Sequence, residues 1–94
     1  MPFFGPPNIE KMKAKRDVEG LIKAINYQKD IHIRIAAAKA LGEINDKRAF
    51  HPLRYALHDN DLAMREAAVQ ALRQIMGPSN LEFFLETIHY YEED

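Results

Sequence analysis

Counting from Ile33, apolar side chains fall at i, i+3, i+4, i+7, i+8 and i+11, ending at Ile44, and the same spacing runs from Met64 to Ile75. That pattern is one face of an α-helix, whereas a strand would alternate every second residue. The two segments are near copies. Between residues 30–44 and 61–75, seven of fifteen positions are identical: Asp30/Asp61, Arg34/Arg65, Ala36/Ala67, Ala37/Ala68, Ala40/Ala71, Leu41/Leu72 and Ile44/Ile75. Asp30 and Asp61 stand where an N-cap belongs, ready to accept bonds from the free N–H groups of the first turn. The segments ahead of these helices also match, in a register of 32: Val18, Leu21, Ala24 and Ile25 against Phe50, Leu53, Ala56 and Leu57. A third copy follows as Leu81, Phe84, Thr87 and Ile88.

This patterning predicts helices over 17–27, 30–44, 48–58, 61–75 and 79–91. A short leading helix over 9–15 is capped by Asn8 after Pro6 and Pro7. Each unit is a first helix, a tight turn and an Ala-rich second helix. Alanine has the best helix propensity and lets helix axes approach closely. One such hairpin leaves its apolar face wet, and stacking copies covers it. The expected organisation is a single all-α domain over 1–94. It comprises an N-terminal cap segment 1–16, repeats at 17–45 and 46–76, and a terminal helix within 77–94.

Composition narrows the functional classes. The chain has 94 residues, net charge −1 and no cysteine, so disulfides and thiolate chemistry are excluded. No apolar run is long enough to span a bilayer, and MPFFGPPNIEK lacks the apolar core of a signal peptide. A cytoplasmic protein is expected. The charge is uneven: residues 1–48 hold ten Lys/Arg and six Asp/Glu, a net of +4. Residues 77–94 hold five acidic side chains and no Lys or Arg, a net of −5.

The stretch DKRAFHPLRYALHDNDLAMREAAVQALRQIMG resembles a HEAT repeat of the short phycobilisome-lyase (PBS lyase) type. The matching cues are Asp46-Lys47-Arg48-Ala49, Pro52-Leu53, the turn Asp59-Asn60-Asp61, and Arg65 through Leu72. The first copy keeps Arg34 and Ala-Leu-Gly but lacks the proline and the Asp-x-Asp turn. The resemblance implies an α-α superhelix, a HEAT-like solenoid of two full repeats and a terminal half. It also implies that the second-helix arginine bonds to the turn aspartate or to a neighbouring repeat. Arg65 with Asp59 fits this, while Arg34 has Gln28 at the matching offset and so lacks an evident partner.

Catalysis is not expected, and neither is a cofactor or metal. One HEAT-type relative, deoxyhypusine hydroxylase, binds iron through His-Glu dipeptides. Here His32, His51, His58 and His89 are never followed by Glu and do not pair at i+3 or i+4. The glycines are scattered rather than grouped in a phosphate loop, and Ser79 is the only serine. The basic stretch Lys11, Lys13, Lys15 and Arg16 carries no interleaved aromatics and has acidic neighbours, which argues against a nucleic-acid site.

A protein partner is the expected ligand. In this resemblance the second helices line the inner face. The outward positions are Ile31, Ile35, Ala38, Lys39 and Gly42 on one, and Leu62, Glu66, Val69, Gln70 and Arg73 on the other. They outline a shallow partner-binding groove with an apolar floor (Ile31, Ile35, Ala38, Val69) edged by Lys39, Glu66 and Arg73, with Gln70 among its partner-binding residues. The alternative is a face rotated by one residue, which puts both isoleucines in the core. The function expected is an adaptor or scaffold. An accessory or chaperone-like subunit of an enzyme, such as a bilin-lyase-type partner, and a weak nucleic-acid binder are the alternatives. The segment LEFFLETIHYY is apolar nearly all round, and Phe83, Tyr90 and Tyr91 are candidates for weak homo-oligomerisation. The alternative for them is wrapping the edge of the core with hydroxyls in water.

Overall fold

The computed structural model describes residues 5–77. It contains α1 (Ile9–Ala14), α2 (Val18–Ile25), α3 (Ile31–Ile44), a 3-10 turn (Lys47–Ala49), α4 (Phe50–Ala56) and α5 (Leu62–Met76). Among the described residues there is no strand, so the chain is all-α. The expected helix over 79–91 lies outside the described residues, and so do Phe83, Tyr90 and Tyr91.

The caps at Asn8, Asp30 and Asp61 fall where the sequence places them, and Asp17, expected inside the helix over 17–27, caps α2 as well. Asn8 accepts from the Lys11 N–H, Asp17 from Gly20, Asp30 from His32 and Asp61 from Met64. Each satisfies a donor that the first helical turn leaves unpaired. The C-terminal ends of α1, α3 and α5 use a residue at positive φ. α3 stops at Asn45 (φ 63°) and α5 at Gly77 (φ 75°). α1 ends in a Schellman motif, in which Arg16 N–H bonds to the Lys13 carbonyl and Asp17 N–H to the Met12 carbonyl, with Arg16 at φ 54°.

Two first helices are shorter than the apolar pattern predicts. α2 closes at Ile25 because the Asn26 and Tyr27 N–H groups turn back to carbonyls three residues behind. The predicted 48–58 helix divides into the 3-10 turn and α4. Pro52 has no N–H to give the Arg48 carbonyl, and its ring crowds that carbonyl, so an α-helix running through residue 48 is disfavoured. At the far end Leu57 and His58 again bond three residues back.

Helix α3 is the middle of the molecule. It packs against α5, α2 and α1, while α4 packs against α5. Leu21, Leu41, Leu53, Met64 and Leu72 are the largest fully buried side chains, and they come from α2, α3, α4 and α5. Leu21/Leu53 and Leu41/Leu72 are repeat-equivalent pairs, so the copied positions are the core. Each such burial is worth roughly 1.5–3 kcal/mol. α1 closes the exposed side of the first pair through Ile9 and Met12. A Cβ on Gly20 would meet the capping carboxylate of Asp17 and, at 2.6 Å, the flexible end of Met12.

Candidate docking site

The turn between α4 and α5 and the turn between α2 and α3 come together through one buried side chain. Arg34 lies in the first turn of α3 and is 9% exposed. Its Nε donates to the Ile25 carbonyl at 2.5 Å, at the end of α2. Its Nη2 donates to the Asp59 carboxylate at 2.5 Å, in the next turn along the chain. One guanidinium therefore closes its own hairpin and holds the neighbouring one. Arg65, at the equivalent position of α5, donates to the Asp59 backbone carbonyl at 2.6 Å.

The sequence expectation paired Arg65 with Asp59 and left Arg34 without a partner. The geometry distributes the roles differently. The Asp59 carboxylate belongs to Arg34, and only its carbonyl belongs to Arg65. Gln28 is no substitute for Asp59, since its amide instead donates to the Asn26 carbonyl.

Asp59 also accepts from the Asp61 N–H at 2.9 Å, which fixes the Asp-x-Asp turn and presents Asp61 as the cap of α5. Burial works to raise the Asp59 carboxyl. The hydrogen bonds from Arg34 and Asp61, together with the charges of Arg34 and Arg65, outweigh burial and hold it below the usual carboxylate range.

Above this clamp lies a shallow, open depression of about 440 Å³ lined by Gln28, Ile31, Arg34, His58, Asp59, Asn60 and Asp61. Ile31 is half-buried at its side. Leu62, the repeat equivalent of Ile31, follows Asp61 and is 59% exposed. Each second helix thus begins with an apolar residue directly after its capping aspartate, half-buried in α3 and exposed in α5.

The other expected outward residues divide into three groups. Lys39, Glu66, Gln70 and Arg73 are exposed, while Ile35 and Val69 are half-buried and pack against the core. Ala38 is fully buried, which corrects its place on the groove floor, and Gly42 is buried as well. A Cβ on Gly42 would lie 2.8 Å from the Ala71 Cα. These two small residues are therefore where α5 approaches α3, and not part of a solvent-facing surface. The rotated alternative holds in part, since Ile31 and Ile35 sit at the edge of the core rather than inside it.

Sequence reasoning missed Tyr55, which is 80% exposed on α4. A signal was available: in the register of 32, Tyr55 aligns with Lys23, a solvent position of α2. His32, His51 and His58 are exposed, and His89 lies outside the described residues. Among the described residues, no three His, Asp or Glu side chains gather in a way that would hold a metal ion. No helix among them is long and apolar enough to cross a membrane.

Stacked helical hairpins with capped, Ala-rich second helices and an arginine clamp between successive turns define a helical-repeat protein. The family profile described as HEAT repeats matches residues 18–92, and the chain belongs to that family. No curated protein shows significant similarity to the chain. HEAT repeats generally mediate protein–protein interaction, and HEAT-repeat proteins are typically non-catalytic scaffolds.

Proposed function

We propose that this chain is a protein-binding adaptor or scaffold. Its docking face runs from the depression at the turns along the exposed edges of α3 and α5. Residues 17–45 and 46–76 act as its two repeat units, and 77–94 supplies the terminal helix. Ile31 and Leu62 supply apolar anchors at the mouth. Ile35 and Val69 form a half-buried floor, and Lys39, Glu66, Gln70 and Arg73 make the polar rim. One observation carries the reading: the same repeat position is apolar and solvent-accessible in both second helices, beside a depression whose polar floor is fixed by Arg34 and Asp59. Pre-fixed polar groups beside accessible apolar side chains cost a partner little ordering on binding.

The test uses Leu62→Asp. Leu62 is exposed, so the variant is expected to fold with its stability changed by less than about 0.5 kcal/mol. A protein captured from a cytosolic extract by the wild type and released by this folded variant supports the adaptor reading. Equal capture by both, or none by either, overturns it. Ile35→Asp is the poorer probe because Ile35 packs against the core, and loss of stability would mask loss of binding.

The resemblance to short PBS-lyase-type repeats favours a narrower version, an accessory subunit serving a bilin-lyase-type enzyme. The clamp from Arg34 to the next turn's Asp59 is the kind of inter-repeat contact that this resemblance implies. Co-expression with such an enzyme and a tetrapyrrole, read by visible absorbance of the product, separates it from a general adaptor.

A further inference from the structure

α5 sits on small residues of one α3 face, and it repeats the positions of that face on its own far side. Ala38 is fully buried, and a Cβ on Gly42 would lie 2.8 Å from the Ala71 Cα, so this is where α5 approaches α3. The repeat equivalents of Ile35, Ala38 and Gly42 on α5 are Glu66, Val69 and Arg73. In a helix of 3.6 residues per turn these three share one side, roughly opposite Ala71. That side therefore points away from α3. Glu66 and Arg73 are exposed, and Val69 is half-buried. Among the described residues neither Glu66 nor Arg73 forms an ion pair. The far edge of α5 is thus an apolar residue with an acid about one turn before it and a base about one turn after it.

We propose that this edge pairs with the same edge of a second copy, antiparallel about a two-fold axis beside Val69, so that Glu66 of each molecule meets Arg73 of the other. The pattern is self-complementary in that direction alone. Glu66 and Arg73 lie about 10 Å apart along the helix, with Val69 near the midpoint, so reversing one helix against the other sets each acid opposite a base. A parallel pairing would set acid against acid and base against base. The chain's own following segment does not answer the pattern either. Residues 78–94 hold Glu82, Glu86, Glu92, Glu93 and Asp94 and no Lys or Arg, so they suit Arg73 and repel Glu66. The pairing rests on the reading of the α5 edge as a docking face and commits that edge to one occupant, while the depression at the turns stays outside the contact. An isologous contact closes at the dimer. One helix edge falls short of the roughly 1,200–2,000 Å² of a stable interface, so the dimer forms and dissociates with concentration. The charges set its orientation, and salt screens them over a Debye length of about 8–10 Å near physiological strength.

Sedimentation velocity over a concentration series at ~20 mM salt tests it, with circular dichroism as the check on helix content. The proteins compared are the wild type, Glu66→Arg, Arg73→Glu, and the double reversal Glu66→Arg with Arg73→Glu. Both positions are exposed, so all are expected to fold. The wild type is expected to pass from monomer to dimer as concentration rises and to go no further. Each single reversal sets like charges across the axis and is expected to pair at least about tenfold more weakly. An equimolar mixture of the two single variants is expected to pair again. So is the double reversal alone, because it restores an acid opposite each base. A wild type that stays monomeric overturns the proposal, as does undiminished pairing of either single variant or a double reversal that fails to recover. Growth beyond the dimer overturns it too, since that needs two different surfaces in contact. Pairing and the adaptor reading fail separately. A monomeric wild type that still captures a protein released by Leu62→Asp sinks the pairing alone. Pairing rescued by the double reversal, with no other protein captured, sinks the adaptor reading alone.

Discussion

Gly42 of α3 and Arg73 of α5 hold the same place in their helices, thirty-one residues apart, yet the first is buried and the second exposed. Ala38 and Val69 are likewise equivalent, and they are fully buried and half-buried. The two helical pairs share the face that closes each hairpin: Leu21 and Leu41 in one, Leu53 and Leu72 in the other. They differ on the face that meets the next pair. α3 has a hairpin stacked against it and wears small residues there, so that the α5 backbone can come close. At the corresponding places α5 carries a larger or charged side chain. A repeat protein therefore shows the rule of its fold in what its copies share, and each copy's place in the stack in what they do not.

The clamp is where that comparison breaks most readily. Arg34→Ala removes both the bond to Ile25 and the charge partner of a mostly buried carboxylate. It is expected to cost about 2–4 kcal/mol of unfolding free energy in a urea titration. Arg65→Ala removes a bond to one carbonyl and is expected to cost about 1 kcal/mol. Equal losses for the two would mean that the arginines are interchangeable and the turn aspartate is not the link between pairs.

A smaller effect sharpens the stacking contrast. Gly42→Ala would raise helix propensity, but its new methyl meets Ala71. Net destabilisation of about 1–2 kcal/mol is expected. Arg73→Ala at the equivalent site is expected to stay within about 0.5 kcal/mol of the wild type. A stabilised Gly42→Ala protein would show that α3 and α5 have room between them.

The smallest effect is in pH dependence. The Asp59 carboxyl lies below its unfolded-state value. Its contribution to stability is therefore fully present above the ordinary carboxylate range, about pH 4, and drains away as the pH falls through that range and past the folded value. Asp59→Asn is expected to be less stable at neutral pH and to lose less on acidification, so the two stability–pH curves converge as the pH falls past the folded value. Parallel curves would remove Asp59 from the acid response. Asp46, held at about 2 by hydrogen bonds from the Arg48 side chain and backbone, titrates in the same direction on an exposed turn.

Much of the fold was legible before any coordinates. The capping aspartates, the helical period and the doubled segment were all local signals. Each depends on groups within a few residues of one another, so the chain carries them intact. The docking face was legible in part. Leu62, Lys39, Glu66, Gln70 and Arg73 are exposed as expected, whereas Ala38 and Gly42 were placed on the wrong side of the helix. The error came from reading each second helix as having one buried face, when α3 meets neighbours on several sides and is apolar nearly all round.

By itself, the sequence determined that residues 30–44 and 61–75 are equivalent capped helices, and that the chain begins basic and continues into an acidic segment. Only the tertiary structure decided that Arg34 reaches forward to Asp59, and that Ala38 and Gly42 form the seat for α5. It also decided that Ile31 and Ile35 lie at the margin of the core. The physical reason is distance along the chain. Period and capping are properties of one helix, whereas a salt bridge across twenty-five residues and a close backbone approach exist only once two hairpins have stacked.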